Sequence, residues 1–248
     1  MRIPRLYCPQ DINVGETIEL TKEASHYLAK VLRLKTGAKI IVFNGQGGEY
    51  SATLLNVTKS GCSAFIESFS DPHTDAFLPI HLVQGISRGE RMHFVIQKAV
   101  ELGATSLWPV FTEYCEIKLQ GDRAEKRLEH WQSIANSACE QCGRTRIMTI
   151  YPVSKLPQWL HNTPHLDEKH IRLTLDPYAT QSLSNINITP PDEVTLLIGP
   201  EGGLSENEIA LAARNGFQGI QLGRRILRTE TATTAALSAV NLTWGDWR

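Results

Sequence analysis

The sequence predicts an α/β protein in which a small, mostly β domain precedes a larger domain built on a parallel sheet. Three observations predict it. From Pro79 onward, strand and helix patterns alternate. Before that point the chain gives short strands separated by glycine turns, the texture of a small barrel or sandwich. Between the two lies SDPHTDAFLP, Ser70 to Pro79, which is polar and carries two prolines. We set the domains at 1–72 and 73–248.

In the first part, TKEASHYLAKVLRLKTG is expected to be a helix. Thr21 is its N-cap, Tyr27, Leu28, Val31, Leu32 and Leu34 share its apolar face, and Gly37 lies past its end. AKIIVFNGQGGEYSATLLNV then gives two strands around an Asn-Gly turn, and GCSAFIESF gives a third.

In the second part, PIHLVQG is a buried strand. GERMHFVIQKAVELG is a helix with Met92, Val95, Ile96, Ala99 and Leu102 on one face and Gly103 as its stop. TSLWPVF is a strand, and GDRAEKRLEHWQSIANSACEQCG is a long helix with Leu128, Trp131, Ala135, Ala138 and Cys142 in register. HIRLTLD and EVTLLIGP are strands, SENEIALAARNG a short helix, GIQLG a strand, and TETATTAALSAVNL a helix of small residues. Ligands of such sheets sit at the carboxyl ends of the strands, so the loops after Leu175, Ile198 and Leu222 are the first places to look.

The chain has 248 residues, enough for two cores, with 42% hydrophobic residues and a formal net charge of −1. A nucleic-acid partner would therefore have to be met by locally gathered cations. The first residues hold no apolar core of signal-peptide length. No stretch approaches the roughly 18 apolar residues of a membrane span. We expect a cytoplasmic protein without membrane contact. Of the five cysteines, Cys139 and Cys142 form a C-x-x-C without the second ligand pair of a zinc site, so packing on a helix face is expected. His161 and His165 are four apart, but Pro164 between them argues against a helical metal pair. No metal is expected.

IGPEGGLSENE follows a strand and precedes a helix, as phosphate loops do. It lacks G-x-G-x-x-G and a Gly-Lys-Ser/Thr ending. Glu201, Glu206 and Glu208 would repel a phosphate, so the loop better suits a neutral or cationic group lying close to bare backbone. The second candidate is GIQLGRRILRTETA, where Arg224, Arg225 and Arg228 follow a strand and precede a helix. Arg88 and Arg91, Lys98 and Glu101, and Glu140, Gln141, Arg144 and Arg146 would together form a basic rim suited to structured RNA if the strand ends meet. Taken singly, each is a polar helix face.

SRGERMHFVIQKAVELG, ACEQCGRTR, LLIGPEGGLSENE and LGRRILRTETA resemble, in this order, the signature segments of the bacterial 16S rRNA (uracil-N3)-methyltransferase family. That family belongs to the SPOUT class of S-adenosylmethionine-dependent RNA methyltransferases. MRIPRLY and HYLAKVLRLKTGAKIIVFNGQGGEY resemble its N-terminal domain, so the likeness spans nearly the whole chain. FTEYCEIKL departs from it, standing where a more Ser/Arg-rich stretch is expected.

The resemblance implies a PUA-like, RNA-binding β-barrel over 1–72 and a methyltransferase domain with a deep trefoil knot over 73–248. It also implies a homodimer, S-adenosyl-L-methionine as cofactor, and 16S rRNA or the small ribosomal subunit as partner. The cofactor would lie against Leu175, Gly199, Pro200, Glu201, Gly202, Gly203, Leu222, Gly223, Ile226, Leu227 and Arg228. Methylating N3 of a uracil needs an unpaired base, a cation near O2 or O4, and an acceptor for the N3 proton. Arg88 and Arg228, with Arg144 behind them, are the expected cations, and Glu140 or Glu101 the acceptor. Arg2, Arg5, Lys30 and Arg33, with Arg91 and Arg144, are expected to contact RNA. Other readings are a methyltransferase of the same class acting on a ribose or a tRNA base, and an RNA-binding assembly protein without catalysis.

Overall fold

Short strands closed by tight turns build the first part of the chain, and longer buried strands build the second. The structure, a computed structural model, describes residues 3–58, 61–119, 121–163, 169–186 and 190–247. Arg2, Pro164 and His165 lie outside them. The chain divides into two compact units, Met1–Asp75 with Cys139–Ile147, and Ala76–Ala138 with Met148–Arg248.

In the first unit, β1 (Arg5–Tyr7), β2 (Thr17–Glu19), β3 (Lys39–Phe43), β4 (Glu49–Val57) and β5 (Cys62–Ser70) form a five-stranded sheet in the order β1-β3-β4-β5-β2. β1 runs parallel to β3, and the other pairs are antiparallel. Strand alternation sends Ile40, Val42, Ala52, Leu54, Ala64 and Ile66 into one core with Leu6 and Leu28. Two register shifts, at Ser51/Ala52 and Leu54/Asn56, bend β4 against β5.

The helix expected up to Gly37 is shorter. Thr21 caps α1 (Lys22–His26), its side chain accepting from the Ala24 N–H. The chain then widens into a π-helical turn, Tyr27–Val31, and Arg33 breaks it at φ 52°. A turn wider than 3.6 residues shifts the apolar phase. Tyr27 and Val31, expected in the core, are therefore 42% and 60% exposed, while Leu28 is buried.

The segment Cys139–Ile147 joins this unit through Asp75, whose carboxylate accepts from Thr145 Oγ1 at 2.6 Å, the Arg146 N–H at 3.0 Å and Arg144 Nε at 3.4 Å. Arg5, Tyr7 and Gly48 bond to the same segment, so Cys139–Ile147 groups with the first unit although it lies far along the chain.

The second unit alternates as expected. It runs β6 (Ile80–Gly85), α2 (Gly89–Glu101), β7 (Ser106–Phe111), α3 (Asp122–Cys142), β8 (Thr149–Ile150), β9 (Ser154–Lys155), α4 (Leu156–Asn162), β10 (His170–Leu175), β11 (Glu193–Ile198), α5 (Glu206–Arg214), β12 (Gln218–Ile220) and α6 (Thr229–Thr243). No periodicity announced α4 or the two-residue strands β8 and β9.

All its strand pairs are parallel, in a seven-stranded sheet ordered β12-β10-β11-β6-β7-β8, with β9 also on β7. Ile80, Leu82, Val83, Leu107, Ile171, Leu173, Val194 and Leu196 are all at most 4% exposed, as strands covered on both faces require. Within β10, buried Arg172 donates at 3.2 Å to the carbonyls of Thr163 and Asn215, the C-cap residues of α4 and α5. One guanidinium so answers the negative ends of two helices.

Strand order fixes where a ligand can enter. From β6 the chain leaves through α2 to β7 on one side. From the adjacent β11 it leaves through α5 to β12 on the other side. Connections that diverge between neighbouring parallel strands leave a crevice at their carboxyl ends.

Candidate functional site

The segments that follow β10, β11 and β12 enclose a cavity of about 530 Å³, within the usual range for a small-molecule site. The residues expected there from the sequence come together: Leu175, Gly199, Pro200, Glu201, Gly202, Gly203, Leu222, Gly223, Ile226, Leu227 and Arg228 all line it. Arg91, expected on the RNA side, lines it too. Arg225, singled out in the basic turn, lines it as well, and Asp176, Tyr178, Gln221, Thr229 and Glu230 add polar lining that was not singled out. The Asp-Pro-Tyr turn after β10 was the available signal for Asp176 and Tyr178.

Each loop has a local cause. After β10, Asp176 Oδ1 accepts from the Tyr178 N–H at 2.9 Å, a side-chain turn that redirects the chain. After β11, the Gly203 N–H closes on Pro200 O at 2.9 Å, with Gly203 at φ 75°. Ser205 then caps α5 in a capping box with Glu208, which is buried and also accepts from the Glu113 N–H at 2.8 Å. After β12, Arg228 occupies the N-cap position of α6 in extended backbone, without a side-chain cap bond.

A buried polar network ties these parts together. The Gln84 amide, at the end of β6, donates to Thr229 Oγ1 at 3.0 Å and to Gly199 O at 3.3 Å. Its carbonyl accepts from Thr233 Oγ1 at 2.9 Å, and Thr229 Oγ1 donates to Gly199 O at 2.7 Å. A satisfied network of this kind fixes one geometry for the Gly199 loop against the start of α6.

Glu201, the acid out of place in a phosphate loop, has partners from the start of α2. Its Oε1 accepts from the Arg88 N–H at 3.0 Å and from Arg91 Nη1 at 2.9 Å. Burial pushes its carboxyl up, but the hydrogen bonds from Arg88 and Arg91 and the Arg91 charge outweigh burial and hold it below the ordinary range. A carboxylate with a depressed pKa stabilises the fold above its unfolded pKa, and that gain is lost as pH falls through the folded pKa. Both side chains of the pair are partly exposed, so solvent screens it and it contributes little. Glu201→Gln is therefore expected to destabilise by less than about 1 kcal/mol in urea unfolding. The gap should stay constant from neutral pH down to about 5 and shrink below about 4.3. A gap that widens on acidification would contradict the assignment.

Arg88 does not line the cavity. Its side chain pairs with Glu116 and is largely exposed, and its backbone serves Glu201. Glu116 belongs to FTEYCEIKL, the stretch expected to be richer in Ser and Arg. That stretch packs on the glycine loop, since a Cβ on Gly202 would meet Tyr114 Cβ at 2.6 Å.

In the first unit, Glu140 Oε1 accepts from the Tyr7 N–H at 2.9 Å. Burial pushes its carboxyl up, against the Tyr7 hydrogen bond and the Arg5 charge. Burial, and then the Glu140 charge, push the Cys8 thiol up to about 12, so it is no nucleophile.

Two arginines expected to contact RNA are turned to structural use. Arg144 is 5% exposed and ion-paired to Asp75. Arg5 is paired with Glu49 and donates to the carbonyls of Gly143 and Arg144. Lys30 and Arg33 are exposed. Cys139 is buried in the helix interior, and no group of three or more His, Cys, Asp or Glu among the described residues could hold a metal.

Residues 74–241 match the RNA methyltransferase domain family, and residues 20–67 the RNA methyltransferase PUA domain family. The chain is 36% identical to ribosomal RNA small subunit methyltransferase E of Buchnera aphidicola subsp. Schizaphis graminum, over 99% of this chain and 98% of that one. Its structure is similar to that of ribosomal RNA small subunit methyltransferase E from Neisseria gonorrhoeae bound to S-adenosyl methionine. The TM-score is 0.92 at 36% identity, with both chains covered fully, 100% each. It is as similar, at TM-score 0.92 and 38% identity, to a putative methyltransferase from Legionella pneumophila in complex with the same cofactor, covering 99% of this chain and 100% of that one.

Proposed function

This chain belongs to the ribosomal RNA small subunit methyltransferase E family of RNA methyltransferases, and we propose that it methylates N3 of a uracil in small-subunit ribosomal RNA with S-adenosylmethionine as donor. The observation that carries the reading is the cavity at the ends of β10, β11 and β12.

Its lining fits the donor. Ile198, Leu204, Ile220, Leu222 and Leu227 give apolar walls, and the Gly199–Gly203 loop gives bare backbone for an adenine edge. Asp176, Glu201 and Glu230 offset Arg91, Arg225 and Arg228 in the lining, so the cavity lacks the cationic excess a phosphate would need. When bound, S-adenosylmethionine supplies an electrophilic methyl group on a positively charged sulfur.

The protein's part is to place the base and to hold the charge that N3 acquires as its proton leaves. Arg228 lines the cavity and is exposed, so its guanidinium can reach a uracil oxygen. Arg88 holds the Glu201 loop and serves the reaction through that contact. For the proton acceptor we assign Glu140, whose carboxyl burial pushes up.

Lys30, Arg33 and Arg91 are the exposed cations we assign to RNA, with the first domain as the grip. Arg144 is left out, because it is buried against Asp75. The family's trefoil knot is extended to this chain on its membership of the family alone.

We also assign a homodimer and a cytoplasmic place. The support for the dimer is the half-exposed small-residue face of α6, with Thr234, Ala235, Ser238 and Ala239. Light scattering of the purified protein is expected to give twice the chain mass, and a chain mass alone would remove the dimer. For localisation the support is the ribosomal substrate; no helix among the described residues is long and apolar enough to cross a membrane.

Mass spectrometry of small-subunit rRNA from cells with and without the gene tests the function. N3-methyluridine should vanish in its absence and return on complementation. An unchanged modification profile would refute it.

A further inference from the structure

We propose that Glu230 is the counter-charge for the sulfonium of the methyl donor, and that it lets the site distinguish the donor from its spent thioether product. This rests on the reading that the cavity holds S-adenosylmethionine.

Three carboxylates line the cavity, and two are committed. Asp176 Oδ1 accepts the Tyr178 N–H, and Glu201 Oε1 accepts from Arg88 and Arg91. Glu230 Oε2 is buried and has no hydrogen-bond partner among the described residues. A buried carboxylate oxygen left unpaired is costly, and native structures keep such groups for a reason. Glu230 lies in the first turn of α6, where the helix dipole favours an acid without using its lone pairs. Arg91, in the same lining, is hydrogen-bonded to Glu201, and only its charge, with no hydrogen bond, acts on Glu230. A cation entering the cavity would therefore lie beside a carboxylate already partly desolvated.

S-adenosylmethionine brings two positive groups, a sulfonium and an α-ammonium. The ammonium carries its own carboxylate two bonds away, which Glu230 would repel. The sulfonium has no such companion, cannot itself donate a hydrogen bond, and suits apolar walls such as Ile198 and Leu227. When the methyl leaves, the C–S bond breaks and its electron pair stays on sulfur. The product is then a neutral thioether, and the attraction to Glu230 is gone. The same carboxylate that holds the donor would thus let the product leave.

Isothermal titration with S-adenosylmethionine and S-adenosylhomocysteine tests this on the wild type, Glu230→Gln, Glu230→Asp and the control Glu206→Gln, an exposed acid outside the cavity. Melting curves without ligand check that each variant folds. Glu230→Gln is expected to weaken donor binding by about ten- to a hundredfold, as befits loss of a charged partner. Product binding should stay within about threefold. Glu230→Asp should keep part of the preference, and Glu206→Gln all of it. Equal weakening of both ligands, or no change in either, would overturn the proposal. A wild type that binds neither ligand would overturn the methyltransferase reading itself.

Discussion

Gly199→Ala is expected to lower affinity for S-adenosylmethionine by about ten- to a hundredfold, with little loss of folded protein. A Cβ on Gly199 would lie 2.7 Å from the Gly203 carbonyl carbon and 2.9 Å from both Gly203 Cα and Leu204 N. These are backbone atoms, so no rotamer change can make room, and the turn from Pro200 to Gly203 must open. Gly85→Ala presses on the same loop from the end of β6, where the added carbon would meet Pro200 N at 2.6 Å. Gly61→Ala, whose added carbon meets nothing within 4 Å, is the control. Titration of the purified variants gives the answer. Wild-type affinity in Gly199→Ala would mean that the loop is not a wall of the donor pocket.

The largest effect on turnover is expected from Arg228→Ala. Removing a preorganised donor to a developing anion costs about a hundred- to a thousandfold in kcat. Donor affinity should change less, because Arg228 is one of many residues lining the donor cavity, whereas its charge is the one assigned to the uracil. Arg228 suits the role by position. It stands between the β12 loop and α6, lines the cavity, and has no ion-pair partner among the described residues. Arg228→Lys keeps the charge but loses the planar fork, so it should recover only part of the rate. Arg88→Ala should cost about tenfold or less, since its exposed pair with Glu116 is weak and its backbone contact with Glu201 survives the change. Single-turnover methylation of small-subunit particles separates the two. A larger loss in Arg88→Ala than in Arg228→Ala would reverse the assignment.

Much of the site was legible because its signals are local. A strand, a glycine turn and a capped helix sit together in LLIGPEGGLSENE, and a strand, a basic turn and a small-residue helix in LGRRILRTETA. Parallel-sheet logic then joins them at strand ends. The partners of Glu201 were not legible, because they come from Arg88 and Arg91, more than a hundred residues away; the Arg91 pair spans 110. The same holds for Arg144, whose charge belongs to Asp75 at a separation of 69. Charge patterning marks such a residue as basic but says nothing about what has already neutralised it. The π-helical turn at Tyr27–Val31 was hidden for a different reason: periodicity assumes 3.6 residues per turn, and one wide turn breaks that phase, leaving Val31 exposed while Leu32 and Leu34 still pack on the core. Glu230 was in view in RTETA, but its unpaired oxygen is a property of the packed site and of no sequence pattern.

The most direct measurement of the central claim is methyl transfer from S-adenosylmethionine carrying a deuterated methyl group. Purified protein would act on small ribosomal subunits from cells that lack the gene, with the product nucleosides resolved by mass spectrometry. We predict label in N3-methyluridine at a single rRNA position, lost in Arg228→Ala and in Gly199→Ala. Label on a ribose 2′-oxygen or on another base, or no transfer at all, would contradict the account.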